Sequence, residues 1–310
     1  MSSEMSLGPG AEFDFIRSMI ERWGSRAFGL GDDAAELKID RGDTLVVSVD
    51  TAVEGIHFRR EWIEPRAIAY RAVTAALSDI AAMAAKPVGV LTAITLSDDW
   101  RSSLGELANG IGDAVDAANT IIRGGNLSDG PELTIATTVL GSAFAPIRRN
   151  GVAAGHAIYV TGELGGPTKA LKLIEAGRDP RQFRQRLTRP VARIREARWL
   201  SDNGATALID VSDGLISDLQ HLAAASDISI EIDADRVPRM EGVELNDALT
   251  GGEEYELIVA TPRDFDVAEF STRFGIPLTR VGVAAAKTKE SVVVRGAVVA
   301  GLHGYDHFSQ

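Results

Sequence analysis

The sequence predicts a two-domain fold of the α/β or α+β class, and three observations predict it. Its 310 residues are long for one core and suit two domains of about 150 residues each. Runs rich in β-branched residues alternate with segments whose apolar residues recur at helical spacing. A polar turn, Arg148-Arg149-Asn150-Gly151, interrupts that alternation near the middle. Residues 1–150 and 151–310 are therefore read as the two domains, with sheet order left open.

Phe13, Ile16, Met19 and Ile20 are spaced as one face of a helix over Glu12–Trp23. Thr44 to Val49 is a buried-strand pattern, and Asp50 stands where that strand is expected to stop. Pro65 is suited to open a helix and Pro87 to end it. Inside that helix Asp79 has Ala75, Ala76, Ala82 and Met83 as its i±3 and i±4 neighbours, so no basic residue on the helix can pair with it. Val88–Leu96 reads as a strand, Trp100–Asn119 as a helix, and Leu133–Gly141 as a further strand. Gly124-Gly125-Asn126 reads as a turn between them.

In the second half, a strand over Ala157–Thr161 runs into Gly162-Glu163-Leu164-Gly165-Gly166 and a helix from Pro167. That turn matches neither GxGxxG nor GxxxxGK[ST], which favours a structural role over phosphate binding. Arg178–Arg198 is Arg-rich with interspersed Glu and reads as a solvated connection and helix. A strand is expected to end at Asp210, with Ser212 as N-cap of a helix carrying Leu215, Leu219 and Leu222. Gly251-Gly252-Glu253-Glu254-Tyr255-Glu256 places acids just before a strand over Leu257–Ala260.

Composition narrows the chemistry. The formal charge of −12 argues against nucleic acid as a partner, since phosphate backbones bind basic surfaces. It would also repel a nucleotide unless divalent cations lay between protein and ligand. The chain has no cysteine, which excludes disulfides, thiolate metal sites and thiol nucleophiles and fits a cytoplasmic setting. No signal peptide is evident at the N-terminus, and the longest apolar stretch, Ile80–Leu96, is broken by Lys86-Pro87 and too short to span a bilayer. The five histidines form no metal-binding HxxxH pair, and no Ser/His/Asp arrangement is evident.

Acidic residues recur in short motifs: Asp32 and Asp33 in GLGDDAA, Asp50 at the strand end of SVDTAVEGIHF, Asp79 inside the helix in LSDIAAMAAKP, and Asp210 and Asp213 in DVSDGLISDL. With LTGGEEYEL and the closing GYDHF, these ordered motifs span nearly the whole chain and resemble the thiamine-monophosphate kinase family. That family belongs to the two-domain ATP-binding superfamily typified by aminoimidazole ribonucleotide synthetase. The resemblance implies a homodimer whose first-domain sheets form a barrel across the two-fold axis. It also implies transfer of a phosphoryl group from ATP to thiamine monophosphate with several Mg²⁺ ions. By the same resemblance Asp33, Ser48, the backbone of Val49, Asp50, Asp79, Asp210 and Asp213 are metal ligands. Gly125, Arg149 and Ser212 contact the nucleotide, and His57, Glu253 and Tyr305 contact thiamine monophosphate.

The sequence departs from the family pattern at GGN, where Asn126 stands for the usual aspartate of the metal and nucleotide site. An amide oxygen still ligates a hard cation but brings no charge; Asp129 is the alternative ligand. Glu254 for Asp in GGED keeps the charge. The residue inventory agrees with catalysis by positioning and charge neutralisation, with neither general base nor covalent nucleophile. Two other readings stay open: another synthetase of the superfamily, or a catalytically silent relative that binds nucleotide or thiamine phosphate.

Overall fold

The computed structural model describes residues 11–27 and 39–297. The chain divides into two compact units, residues 1–80 with 85–145, and residues 81–84 with 146–310. Among the described residues no helix is long and apolar enough to cross a membrane.

The first unit runs α1 (Ala11–Trp23), β1 (Thr44–Val53), α2 (Pro65–Ala82), β2 (Lys86–Leu96), α3 (Leu104–Ala117), β3 (Ile122–Asp129) and β4 (Thr134–Ala143). Its strands form one sheet in the order β1-β4-β2-β3, in which only β2 and β3 are parallel. Val90, Thr92 and Ile94 of β2 and Ile135, Thr137 and Val139 of β4 are buried, the period-two pattern of a sheet with one covered face. Helix α2 lies on that face: a Cβ added to Gly141 of β4 would come within 2.9 Å of Ile80. Helix α3 packs on α2 where Gly110 meets the Arg66 carbonyl, at a point where a Cβ would lie 2.1 Å from it. Among the described residues the sheet is open, with β1 and β3 as its edges, and no barrel closes.

Several boundaries differ from the sequence-based expectation, each for a tertiary reason. Strand β1 continues beyond Asp50 to Val53 because β4 offers partners as far as Thr134, so Asp50 sits inside a strand. Helix α2 ends at Ala82, five residues before Pro87, through Ala84 in the left-handed region (φ 53°) and a bond from the Ala85 N–H to the Ile80 carbonyl (3.0 Å). Pro87 lies in β2, ahead of the point where β3 begins to pair, so its missing N–H costs no ladder bond on that side. The expected helix from Trp100 opens as a 3₁₀ segment, Asp98–Ser103, and becomes α-helical at Leu104. Gly124-Gly125-Asn126 is part of β3 and not a turn.

The second unit runs β5 (Ala157–Thr161), α4 (Gly166–Glu175), α5 (Arg184–Thr188), α6 (Ile194–Asp202), β6 (Ala207–Asp210), α7 (Leu215–Ser226), β7 (Ser229–Asp233), α8 (Leu245–Thr250), β8 (Leu257–Thr261), α9 (Val267–Phe274), β9 (Leu278–Ala285) and β10 (Val292–Arg295). The sheet order is β10-β7-β9-β5-β8-β6, with β10 and β7 parallel and the other neighbours antiparallel. Every residue of β5 and β8 is buried, as their unbroken apolar runs require. Leu215, Leu219 and Leu222 form the buried face of α7. The N-cap of α7 is Gly214 at φ 116°, where Ser212 was expected.

Candidate active site

In the first unit, Ser48 and Asp50 lie on the face of β1 turned towards α2, because alternate strand residues share a side. The Ser48 hydroxyl donates to Asp79 Oδ2 at 2.5 Å, which explains how an acid without a basic neighbour on its own helix is held. Asp79 is half-buried and Asp50 exposed, with Asp50 Oδ1 accepting the Thr51 N–H at 2.7 Å. Val49 faces the other way and is 65% exposed, so only its backbone is on offer beside these oxygens.

His57 sits in a braced turn that leaves β1. The Val53 N–H donates to His57 Nδ1 (3.1 Å), an arrangement that places the ring proton on Nε2. Glu54 Oε2 accepts from Trp100 Nε1 (2.8 Å) and from the Leu133 N–H (3.1 Å). Phe58, buried, meets Trp100 edge-on with centroids 6.3 Å apart. Neither Glu54 nor Trp100 carries a sequence signal, since their partners lie far along the chain.

Gly125 and Asn126 are exposed on β3. Their position separates them from Asp50, because β1 and β3 are opposite edges of the sheet, three strand spacings or about 14 Å apart. Asp50 is in register with Thr137, Thr92 and Gly125, whereas Asn126 is in register with Ala93, Ala136 and Thr51 and faces the other side. One ion cannot be shared by Asp50 and Asn126 of the same copy. Asp129 is ion-paired with Arg101 (3.0 Å), which also holds Asp98 (2.8 Å).

In the second unit, Asp210 ends β6 at 3% exposure and Asp213 lies three residues on, at the corner leading to α7. The corner is built by a residue the sequence did not single out. Asp218 Oδ2 accepts the backbone N–H groups of Ser212 (3.1 Å), Asp213 (3.2 Å) and Gly214 (3.2 Å). Ser212 thus receives a cap in place of providing one. Burial, and then the charges of Asp210 and Asp213, push Asp218 up to about 8. Ligand atoms of Asp213, Asp218 and His221 lie within 4.8 Å of one another.

The GGEE segment is drawn against the same corner. The Glu253 N–H donates to the Ser212 carbonyl (2.7 Å), and the N–H groups of Glu254 and Tyr255 donate to that of Val211 (3.1 and 2.9 Å). Glu253 and Tyr255 both occupy the left-handed region, at φ 60° and 54°. Behind them Glu256 is buried between Arg193 and Arg186. Arg178, Arg181, Arg195 and Arg198 are exposed, as expected of a solvated connection and helix, but Arg193 is only 7% exposed. Local spacing offers Arg193 only Glu196, three residues on (3.7 Å); its principal partner, Glu256, lies some sixty residues on. The Gly165 amide is occupied by Glu254 Oε1 (2.5 Å), which gives the glycine turn a structural task. Arg149 is exposed, its carbonyl accepting from Ser226 Oγ (2.8 Å). Asp33 and Tyr305 lie outside the described residues.

Both units therefore present hard oxygen donors on rigid elements: Ser48, Asp50 and Asp79 in one, Asp210 and Asp213 in the other. Each set fits a hard cation such as Mg²⁺, and the crowding of Asp210, Asp213 and Asp218 is the electrostatic situation a bound cation relieves.

Residues 31–143 match the family model for the N-terminal domain of AIR synthase related proteins, and residues 153–295 match that for the C-terminal domain. A thiamine-monophosphate kinase of Salmonella typhimurium is 33% identical over 96% of this chain and 98% of its own length. The crystal structure of a thiamine-monophosphate kinase from Stenotrophomonas maltophilia K279a is similar at 31% identity, with a TM-score of 0.81, covering 91% of this chain and 97% of that one. A structure of AaThiL complexed with AMPPCP and TMP is similar at 27% identity and a TM-score of 0.76, covering 99% of this chain and 100% of that one.

Proposed function

This chain belongs to the thiamine-monophosphate kinase family of AIR synthase related proteins, and from that premise we infer that it transfers the γ-phosphoryl group of ATP to thiamine monophosphate, yielding ADP and thiamine diphosphate. The observation that carries this reading is the Asp210–Ser212–Asp213 corner, whose backbone is gathered by one buried carboxylate and against which the Glu253 loop is pinned. Such a corner holds acids for a cation and a loop for a second substrate in one fixed frame. The relative holding AMPPCP, an ATP analogue, together with TMP supports the same pair of substrates.

The acceptor phosphate is already anionic near neutral pH, so the task is approach and not deprotonation. Each pair of unit like charges at ~4 Å costs on the order of 4 kcal/mol at an effective dielectric of ~20. Ser48, Asp50 and Asp79 of the first unit, with Asp33 and the Val49 backbone, and Asp210 and Asp213 of the second would hold Mg²⁺, which would supply the neutralising charge. Asp79 is held in place by Ser48, and the His57 Nε2–H is presented as a donor towards the thiamine phosphate. Glu253 is assigned to its cationic ring, and Tyr305 is proposed as a contact of the same substrate. Gly125, Asn126, Arg149 and Ser212 serve the nucleotide. Transfer is direct and in line, without a phosphoenzyme.

A homodimer is part of this proposal. Leu45, Val47 and Val49 are 42%, 57% and 65% exposed along one face of edge strand β1, apolar area of the kind a second sheet covers. The separation of Asp50 from Asn126 within one copy also favours a site completed by a second one. The setting is the cytoplasm, where ATP is supplied.

Incubation with ATP, Mg²⁺ and thiamine monophosphate should give ADP and thiamine diphosphate in equal amounts, and chelation of Mg²⁺ should stop both. Asn126, lacking the charge of the usual aspartate, is what favours the silent-relative reading. Tight binding of both substrates without turnover would decide for that reading, and ADP without thiamine diphosphate for another synthetase of the superfamily.

A further inference from the structure

The left-handed conformations of Glu253 and Tyr255 are disfavoured for residues with a Cβ, and such geometry persists only where the surroundings over-determine it. Three bonds from the loop to the Val211 and Ser212 carbonyls hold it from one side. From the other side it is held by a buried charge network. Glu256, fully buried, receives both Arg193 (Nε to Oε2 at 2.7 Å, Nη2 to Oε1) and Arg186 (Nη1 to Oε1 at 2.9 Å). Thr161 Oγ1 donates to the same carboxylate at 2.7 Å. Arg186 Nη2 reaches on to Glu254 Oε2 at 3.4 Å, and Glu254 Oε1 takes the Gly165 amide. Burial works against the Glu256 charge, yet Arg193, Arg186 and Thr161 outweigh it and hold its carboxyl below the usual range. The network thus clamps the residues flanking Glu253 on its C-terminal side, while the Glu253 amide is tied to Ser212.

We propose that Arg186 and Arg193, through Glu254 and Glu256, are positioning residues that hold Glu253 in its left-handed kink for the second substrate and, through the same loop, steady the Ser212 corner for the first. This rests on the kinase reading, and it assigns a task to two arginines outside the residues proposed to contact either substrate. Each arginine supplies what a lysine lacks, a planar fork able to bind two oxygens in fixed geometry. Arg186 is the better handle for a test, since its side chain is 21% exposed and its loss leaves Arg193 on Glu256.

The test is a double-mutant cycle of Arg186→Met and Glu253→Gln in the full-length chain, read both as equilibrium binding of thiamine monophosphate and as steady-state turnover with Mg²⁺ and ATP. Arg186→Met, with its unfolding midpoint measured on the same sample, is expected to raise the KM for thiamine monophosphate about tenfold or more and to lower kcat. In the Glu253→Gln background the same change should raise that KM less than threefold, because the side chain it positions is already impaired. Losses that multiply would overturn the inference, as would an unchanged KM in a folded Arg186→Met protein. If that variant does not fold, Arg186→Lys takes its place in the cycle with the same criteria. Wild-type protein that binds thiamine monophosphate but makes no thiamine diphosphate would sink the kinase reading while the binding arm still reports on the arginines. Absence of both binding and turnover would overturn the two together.

Discussion

At the scale of single residues, the informative groups are carboxylates whose surroundings differ. Asp79 was conspicuous in the sequence as an acid with no basic neighbour on its helix, and a serine on a neighbouring strand donates to it. Asp218 was not conspicuous, and Glu254 stood out only as keeping the charge of a usual aspartate, because nothing in their local spacing announces that three amides or a glycine turn will converge on them. Burial, opposed by Arg186 and the Gly165 amide, pushes Glu254 up to about 8 from an ordinary value of 4.5. The folded protein therefore binds a proton that the unfolded chain releases. That contribution to stability is full below about pH 4.5 and is lost as pH rises towards 8, at a slope of ~1.4 kcal/mol per pH unit within the window. Glu254→Gln should remove this slope. Urea unfolding midpoints of the two proteins at pH 5, 6.5 and 8 check it, and parallel pH curves would refute it.

At the scale of elements, hydrophobic period located most strands and helices, while their ends followed from pairing and packing. Pro87 was a reasonable helix stop by local rules, yet α2 terminates earlier through Ala84, a residue that pays the Cβ penalty of the left-handed region. Ala84→Gly should stabilise the protein by ~1 kcal/mol, since glycine meets no such penalty at a helix C-terminus. A rise in thermal midpoint of about 2–4 °C is the expected readout, and a fall would show that the alanine methyl is needed for packing. The turn from Val53 to Phe58 shows the same dependence on distant partners: its histidine is legible as a motif, but the tryptophan and the β4 entry that brace it are not.

At the scale of the whole molecule, the proposed reaction would need cations between an acidic chain of net charge −12 and the two phosphates it brings together. The apolar row on β1 makes the proposed dimer testable. Val47→Lys should shift the protein from dimer to monomer in sedimentation equilibrium and reduce turnover at least tenfold, since a charge would be buried against a second sheet. A wild-type protein that sediments as a monomer at micromolar concentration would remove that part of the proposal.

By itself the sequence determined the class of fold and the family, because hydrophobic period and ordered motifs are properties of the chain. Which acids share an edge, which arginines are buried and which amides a carboxylate gathers were decided only in three dimensions. Those facts depend on residues dozens of positions apart meeting in a low-dielectric interior, where pairing and desolvation set the outcome and local spacing does not.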